Sequence, residues 1–310
     1  MNKKFSLVML MLVIISLISF IICNSVAPSN DYNKKIATSF YPTYLITENL
    51  LNGVENVDVV NIADKVKGCV HNFQLTPENM KTLEKSDVLV INGMGMENYI
   101  SDVISNVKNI NVIDSSLNVE GIENECHIHH NHEENHEEEY NSHIWLSIDR
   151  YKKQVNNIAK ALCDLDYLNC DKIIKNRDNY LNKINSLEEK KKETYSKIAD
   201  KNIKTITFHD SFVYLLEDFN IKILKNLDVE SEAGLSAMET KEAINLIKEN
   251  NIKYIIADKT LRKEIPETLQ KETGVEIIYL NSLLQNESND LDSYINGMEE
   301  NLIKLSEIGD

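Results

Sequence analysis

Two stretches of the sequence alternate short β-branched runs with segments of helical periodicity, and this alternation constrains the fold more than any other feature. In the first stretch, strands are predicted at Lys35–Phe40, Val57–Ile62, Asp87–Asn92 and Asn109–Ile113. Helical periodicity fills the gaps, for example at Thr76–Lys85 and Met96–Val107. Such alternation predicts βαβ units built around a mainly parallel sheet.

The same alternation returns in the last third of the chain. Strands are predicted there at Lys204–Phe208, Ile221–Leu224, Lys253–Ala257 and Val275–Leu280. Helices are predicted between them, notably at Glu239–Asn250, and a last helix runs from about Asp290 to Ile308. The sequence therefore predicts an α/β protein with two lobes, each a mainly parallel sheet of about four strands flanked by helices.

The segment between these stretches, Asp171 to Asp200, lacks strand signals and carries one apolar stripe that includes Ile173, Tyr180 and Leu187. Its other positions are mostly Lys, Glu and Asn, so it reads as one long helix of about 45 Å. A coiled-coil dimer is the alternative, but the stripe spans few heptads. We expect a rigid strut in a monomer, with lobes at residues 34–166 and 202–310 and the linker helix at 167–201.

The N-terminus determines the compartment. Lys3 and Lys4 precede an apolar run of eighteen residues, Phe5–Ile22. A charged start followed by such a run is the pattern of an export signal, although the run is also long enough to be an uncleaved membrane anchor. We therefore assign residues 1–23 to a signal or anchor and residues 24–33 to a linker, with the rest of the chain outside the cytoplasm.

Cys23 stands directly after the apolar run, where a lipoprotein carries its lipid-modified cysteine. The preceding Ile22 is larger than the small residue usual at that place. Cleavage after Ala27 is no better, because Pro28 would follow the cut. All three interpretations export the chain, and possible lipidation of Cys23 stays open.

The charge balance excludes some classes of partner. The formal net charge is −16. An acidic surface of this kind argues against nucleic acid or anionic lipid as a partner and favours attraction of cations. The cysteines are scattered and contain no C-x-x-C pair, so neither a disulfide scaffold nor a cysteine zinc knuckle is indicated. Cys163 and Cys170 are either one bridge or two buried thiols.

Five of the eight histidines lie in the segment Cys126–Tyr140, which also carries five glutamates. The histidines of this loop are His127, His129, His130, His132 and His136. The segment has no apolar periodicity and is predicted to be a disordered surface loop. Imidazole and carboxylate groups at this density bind divalent metals weakly, so the loop is an auxiliary metal-binding segment.

The other three histidines, His71, His143 and His209, stand apart from the loop. His209 ends a predicted strand and His71 lies in the loop beyond another strand, and ligands gather at the carboxyl ends of strands in open α/β sheets. His143 adjoins the only tryptophan, Trp145. Three neutral imidazoles and one oxygen ligand can make a tetrahedral zinc site. Spacing alone does not establish that the three converge.

Several segments resemble motifs of the zinc/manganese group of ABC-transporter solute-binding proteins, which are often lipoproteins. The segments are Ile36–Pro42, Val70–Phe73 with Thr76–Glu78, Ser86–Gly93, His143–Leu146 and His209–Tyr214. The resemblance extends over nearly all of the chain from Lys35 onward, and the histidine-rich loop is typical of the zinc-selective branch.

The resemblance implies a metal site between two lobes, with His71, His143 and His209 as ligands. It implies delivery of the ion to an ABC permease in the membrane, with no enzymatic activity. The fourth ligand is expected from Asn281, where manganese members tend to carry Asp, or from Asp258; water is a further possibility. Zinc is favoured because three ligands are imidazole, and manganese is the alternative because it prefers oxygen.

The chain departs from the family pattern beside its histidines. Asn141 and Ser142 stand where the family usually has Asp-Pro before the second histidine, and such changes alter the partners that tune metal affinity. A secreted zinc hydrolase with Asp210 as general base is a rival interpretation, but the sequence lacks a His-Glu-x-x-His helix. An adhesin, acting in cell adhesion, is compatible with the same site.

Overall fold

The computed structural model describes residues 33–64, 70, 73–100, 103, 110–124, 140–227, 229, 234–285 and 290–308. The predicted signal with Cys23, the linker as far as residue 32, His71, half of the helix predicted at Met96–Val107 and nearly all of the histidine-rich loop lie outside the described residues. Among the helices that are described, none has the length and apolar character needed to cross a bilayer.

The first lobe contains a four-stranded sheet. Its strands are β1 (Lys34–Thr38), β2 (Val57–Asn61), β3 (Val88–Ile91) and β4 (Asn111–Asp114), and its helices are α1 (Tyr41–Leu51), α2 (Pro77–Glu84) and α3 (Ile148–Cys163). The strand order is β2-β1-β3-β4, and β3 pairs in parallel with both β1 and β4. Ile36, Ala37 and Val88 are fully buried, as expected of parallel strands covered on both faces.

The second lobe repeats this arrangement. Its strands are β5 (Lys204–Thr207), β6 (Lys222–Asn226), β7 (Tyr254–Asp258) and β8 (Glu276–Leu280), and its helices are α6 (Val213–Glu217), α7 (Ala237–Asn250), α8 (Glu264–Thr273) and α9 (Ser293–Ser306). The order β6-β5-β7-β8 matches the first sheet, and all pairings are parallel. The predicted α/β architecture with two parallel sheets is confirmed.

The linking segment, residues 170–201, is helical for nearly all of its length. It comprises α4 (Cys170–Asn185), α5 (Leu187–Ile198) and a short 3₁₀ turn at Ala199–Lys201. Ser186, between α4 and α5, keeps a right-handed helical backbone (φ −62°, ψ −20°), so the chain is not redirected sharply there. This agrees with the predicted long linking helix.

The two lobes share one apolar core within the compact unit formed by residues 35–310. At its centre, the ring of Tyr151 in α3 stacks on that of Tyr294 in α9, with ring centroids 3.6 Å apart. Trp145 is fully buried, and its indole N–H donates to the Ser282 carbonyl at 2.9 Å. Because these contacts join residues more than a hundred positions apart, the core holds the carboxyl ends of both sheets in a defined relation.

Ion pairs fasten the linking helix to both lobes. Lys191 in α5 contacts Asp149 at the start of α3 at 2.8 Å and Asp218 after α6 at 3.0 Å. Burial alone would lower the pKa of Lys191, but the two carboxylates raise it above its usual value. The Lys191 ammonium therefore stays charged and pairs with one carboxylate from each lobe.

Cys163 and Cys170 form a disulfide between the end of α3 and the start of α4. Of the two states left open by the sequence, the structure therefore shows the bridge. It closes a short loop, since the two cysteines are seven positions apart. Loop-closure entropy for so short a loop amounts to about 2.5 kcal/mol.

We expect Cys163→Ser with Cys170→Ser to lower the free energy of unfolding by about that 2.5 kcal/mol, because the reduced unfolded chain gains conformational freedom. Urea unfolding of the two proteins without reductant measures the difference. Addition of dithiothreitol to the native protein should reproduce the loss and leave the double variant unchanged. Equal midpoints for the two proteins would show that the bridge contributes nothing.

Candidate metal centre

His143 is fixed in the interior by its local fold. An antiparallel bridge pairs Glu123 with Tyr140. Three residues later, His143 immediately precedes the 3₁₀ turn Ile144–Leu146. The residue is fully buried, and its ring lies 5.1 Å from that of Trp145, centroid to centroid. An imidazole packed in this way keeps one orientation, as a metal ligand must.

Asn141 determines which nitrogen of His143 carries the proton. The Asn141 amide oxygen accepts the backbone N–H of His143 at 3.0 Å and lies 3.2 Å from Nδ1 of the same residue. The amide nitrogen of Asn141 is directed at oxygens of Asp210, so the orientation of the amide is unambiguous. An acceptor facing Nδ1 favours a proton there, so that Nε2 is the ring nitrogen that carries a lone pair.

His209 enters from the second lobe at the carboxyl end of β5. It caps the 3₁₀ turn Asp210–Phe212, and its Nδ1 accepts the backbone N–H of Ser211 at 3.1 Å. The Ser211 hydroxyl oxygen lies 2.6 Å from the same nitrogen. The side chain is 14 % exposed, so the ring is held but still reachable from solvent.

The two histidines meet across the lobes, with an acid beside them. Their ring centroids are 5.2 Å apart in an edge-to-face arrangement. Asp210 Oδ1 lies 3.0 Å from His209 Nδ1 and 3.7 Å from His143 Nδ1. One donor atom from each of the three residues falls within 4.8 Å of the others, so the three side chains form a candidate group around a metal ion. Within the described ranges, they form the one such group of His, Cys, Asp and Glu side chains.

The two predicted sources of a fourth ligand have other contacts. Asp258 ends β7, and its Oδ1 accepts the backbone N–H of Thr260 at 2.6 Å. The Asn281 side-chain oxygen accepts the N–H of Leu283 at 2.9 Å, and its backbone bonds to Asn301 of α9. Asp258 does not belong to the group formed by His143, His209 and Asp210 among the described residues. The assignment of a fourth ligand stays a prediction.

The neighbours of His71 lie at the carboxyl end of β1. Val70 is buried, and its carbonyl accepts the N–H of Phe73 at 2.9 Å. The ring of Phe73 packs edge-on against Tyr99 with centroids 5.3 Å apart, and the Tyr99 hydroxyl donates to the Ser39 carbonyl after β1 at 2.9 Å. Phe73, two residues after His71, is thus linked through Tyr99 to the carboxyl end of β1. The ligand role of His71 stays a prediction.

A buried acid that the sequence did not single out holds this edge together. Glu97 accepts the Ser39 hydroxyl at 2.7 Å and the backbone N–H groups of Asn92 and Gly93 at 2.6 and 3.0 Å. Burial raises the pKa of Glu97 to about 7, although these hydrogen bonds oppose the shift. The carboxylate thus ties the loop after β1 to the loop after β3. The local sequence gives no signal for this role.

The chain matches, over residues 36–308, the family described as ZnuA, zinc-uptake complex component A, periplasmic. It is 28% identical over 300 residues to the zinc-binding lipoprotein AdcA of Streptococcus pneumoniae, covering 94% of this chain and 59% of that protein. It is 25% identical to the high-affinity zinc uptake system protein ZnuA of Bacillus subtilis, covering 91% of this chain and 89% of that one.

An iron-binding protein, YfeA of Yersinia pestis, is 24% identical over 83% of this chain and 80% of its own length. Solved structures share the fold. The protein FpvC of Pseudomonas aeruginosa with Ni²⁺ superposes with a TM-score of 0.74 at 22% identity, covering 88% of this chain and 96% of that one. A structure named ZnuA gives a TM-score of 0.68 at 24% identity, covering 88% and 98%.

The family match extends over most of the chain and includes both described histidines, and the resemblance inferred from the sequence motifs is confirmed. The chain therefore belongs to the ZnuA family of periplasmic zinc-uptake components.

Proposed function

We propose that this protein captures zinc outside the cytoplasm and delivers it to an ABC importer. The observation that carries the proposal is the meeting of His143 and His209, one from each lobe, with ring centroids 5.2 Å apart. Two imidazoles from different lobes, at the carboxyl ends of the sheets, form the core of a nitrogen-rich metal site. Family membership and the zinc-binding names of two relatives support zinc as the cargo.

The proposed ligands are His71, His143 and His209, with an oxygen from Asn281 or Asp258, or from water, at the fourth position. Zinc bound by three imidazoles and one oxygen is tetrahedral. The histidine-rich loop would bind further ions weakly and pass them to this site. Manganese is the alternative cargo. Similar proteins differ in the metal that they are named for or solved with, which is iron for YfeA and nickel for FpvC, so the proposal of zinc depends on the donor set and the family match.

Capture should depend on small movements around the ion. The stacked Tyr151 and Tyr294 and the bond from Trp145 to Ser282 oppose a wide opening of the lobes. The side chain of His209 is 14 % exposed whereas His143 is fully buried. We infer that metal enters from the side of His209 and that the surrounding loops order around it.

The proposed location is the outer face of the cell membrane, with Cys23 as the lipid attachment site or the apolar run as an anchor. The name of AdcA as a lipoprotein supports the first form. The chain spans 59% of that relative's length, so no function of the remaining part of AdcA is transferred. The partner proposed in the membrane is the permease of the importer.

Metal analysis of protein purified without chelator, combined with uptake of ⁶⁵Zn by cells, tests the proposal. We expect one tightly held zinc ion per chain once weakly bound ions are removed by dialysis. We also expect cells that lack the protein to lose uptake at scarce zinc and to regain it when the chain is restored. Purified protein that holds no zinc, or uptake that does not depend on it, would refute the proposal.

A further inference from the structure

Asp210 lies on the Nδ1 side of both described histidines. Its Oδ1 is 3.0 Å from Nδ1 of His209 and 3.7 Å from Nδ1 of His143. Its other oxygen, Oδ2, accepts the side-chain amide of Asn141 at 2.8 Å. One carboxylate from the second lobe thus contacts two candidate ligands and is itself held by a residue of the first lobe.

Asn141 is fixed on every side, so it fixes Asp210 in turn. Its backbone N–H donates to the Ile122 carbonyl at 2.8 Å, and its carbonyl accepts the Tyr214 hydroxyl at 2.6 Å. The Arg150 guanidinium lies over the Tyr214 ring, 4.5 Å from the centroid. The Asn141 amide nitrogen also donates to the Asp210 carbonyl at 3.2 Å. With 1 % exposure, Asn141 has no room for a different orientation.

We propose that Asp210 is a positioning residue shared by His143 and His209, and that it makes Nε2 the metal-binding atom of both rings. The inference rests on the proposed function. A carboxylate beside Nδ1 stabilises the proton there, orients the ring and makes the opposite nitrogen a stronger donor. For His143 it adds to the Asn141 oxygen.

The Asp210 carboxylate lies closer to His209 than to His143, so we expect its effect on His209 to be larger. Nδ1 of His209 faces the Ser211 backbone nitrogen at 3.1 Å, the Ser211 hydroxyl oxygen at 2.6 Å and Asp210 Oδ1 at 3.0 Å. A neutral imidazole that binds a metal through Nε2 carries its proton on Nδ1. Asp210 Oδ1, at 3.0 Å, is the acceptor for the Nδ1–H. The acid therefore stabilises the form of His209 that binds metal.

The pairing depends on an amide at position 141. A carboxylate at position 141 would face Asp210 at 2.8 Å, where like charges repel. Asn141 donates instead of repelling. Asn141 and Asp210 therefore belong together in this chain, and a change in one should remove most of what the other contributes.

Zinc competition titration of Asp210→Asn, Asp210→Ala, Asn141→Ala and the double variant Asn141→Ala/Asp210→Ala tests the inference. We expect Asp210→Ala to weaken zinc binding by about 10–100-fold, as loss of an outer partner does, and Asp210→Asn by less. The double variant should lose little beyond Asp210→Ala alone, because the residues act as one unit. Asp200→Asn, an exposed acid in the 3₁₀ turn after α5, is the charge-matched control and should retain wild-type affinity.

Two spectroscopic readouts separate positioning from direct binding. In ¹⁵N spectra of the zinc-bound wild type, both rings should show protonated Nδ1, and Asp210→Ala should broaden or shift the His209 signals. The absorption spectrum of the Co²⁺ form should keep its tetrahedral intensity in Asp210→Asn, because the ligand count is unchanged. Loss of that intensity would show that Asp210 touches the metal and would overturn the positioning role.

The outcomes for this inference and for the proposed function are distinct. If wild-type protein binds zinc tightly and Asp210→Ala binds it equally well, the inference is wrong while the function stands. If the wild type does not bind zinc, the function fails first. Asp210→Asn keeps a side-chain oxygen that can accept the Asn141 amide. Urea unfolding of this variant shows whether a weaker zinc affinity comes from a folding defect.

Discussion

Replacing His143 with alanine should weaken zinc binding by more than about a hundredfold, which exceeds the 10–100-fold cost of losing an outer partner. His143 is fully buried and oriented by Asn141 and Trp145, so the substitution removes a ligand that the protein holds in one position. Removal also leaves the Asn141 oxygen without one of its two donors. Zinc competition titration of the wild type and variant measures the loss.

A folding defect in His143→Ala would also weaken zinc binding, so a second variant and a stability measurement are needed. His143→Gln fills more of the ring's space and offers an amide group, so it should fold better than His143→Ala while still binding zinc weakly. Urea unfolding in the presence of chelator gives the stability of each protein without metal. A zinc affinity within tenfold of wild type for both folded variants would contradict the ligand role of His143.

The regular elements could be predicted because their signals are local. Each strand of the second sheet overlaps the range expected from its β-branched run; β7, for example, was predicted at Lys253–Ala257 and is observed at Tyr254–Asp258. Helix starts carry local signals as well, such as Ser236, whose hydroxyl accepts the N–H of Glu239. Only Ser186, between α4 and α5, interrupts the predicted linking helix, and its own backbone angles remain helical.

The arrangement around the metal site could be predicted only in part. Histidines at strand ends point to a site because parallel strands direct their carboxyl ends to one edge, and His209 follows this rule. The role proposed for Asp210 depends on Asn141, which lies 69 positions earlier in the chain and meets it only after the lobes pack. The role of Glu97 likewise depends on Ser39, 58 positions earlier. No periodicity or motif in one sequence encodes such pairs.

The shared core supports the proposal that metal is captured without a large hinge motion of the lobes. Trp145 was recognised from the sequence as part of a motif, yet its buried indole N–H reaches the loop after β8, and the Tyr294 hydroxyl of α9 donates to its carbonyl at 3.0 Å. The residue two positions after His143 is thereby tied to the second lobe. A fixed Trp145 places His143 opposite His209 before any ion arrives, which lowers the ordering cost of binding.

His209→Glu should shift the metal preference of the site away from zinc. His209 is the partly exposed one of the two described ligand candidates. The substitution leaves two imidazoles and adds a carboxylate next to Asp210, which makes a harder and more negative donor set. We expect zinc affinity to fall by about tenfold or more, while manganese affinity falls less or rises.

Competition titration of the wild type and His209→Glu with both metals measures the ratio of the two affinities. His209→Gln is the matched control, because it has the length of the glutamate variant without its charge and should weaken both metals. A ratio that moves toward manganese only in the glutamate variant assigns selectivity to the charge and hardness of this ligand. If both variants keep the wild-type ratio, His209 does not set the preference, and selectivity for zinc would have to come from the histidine-rich loop.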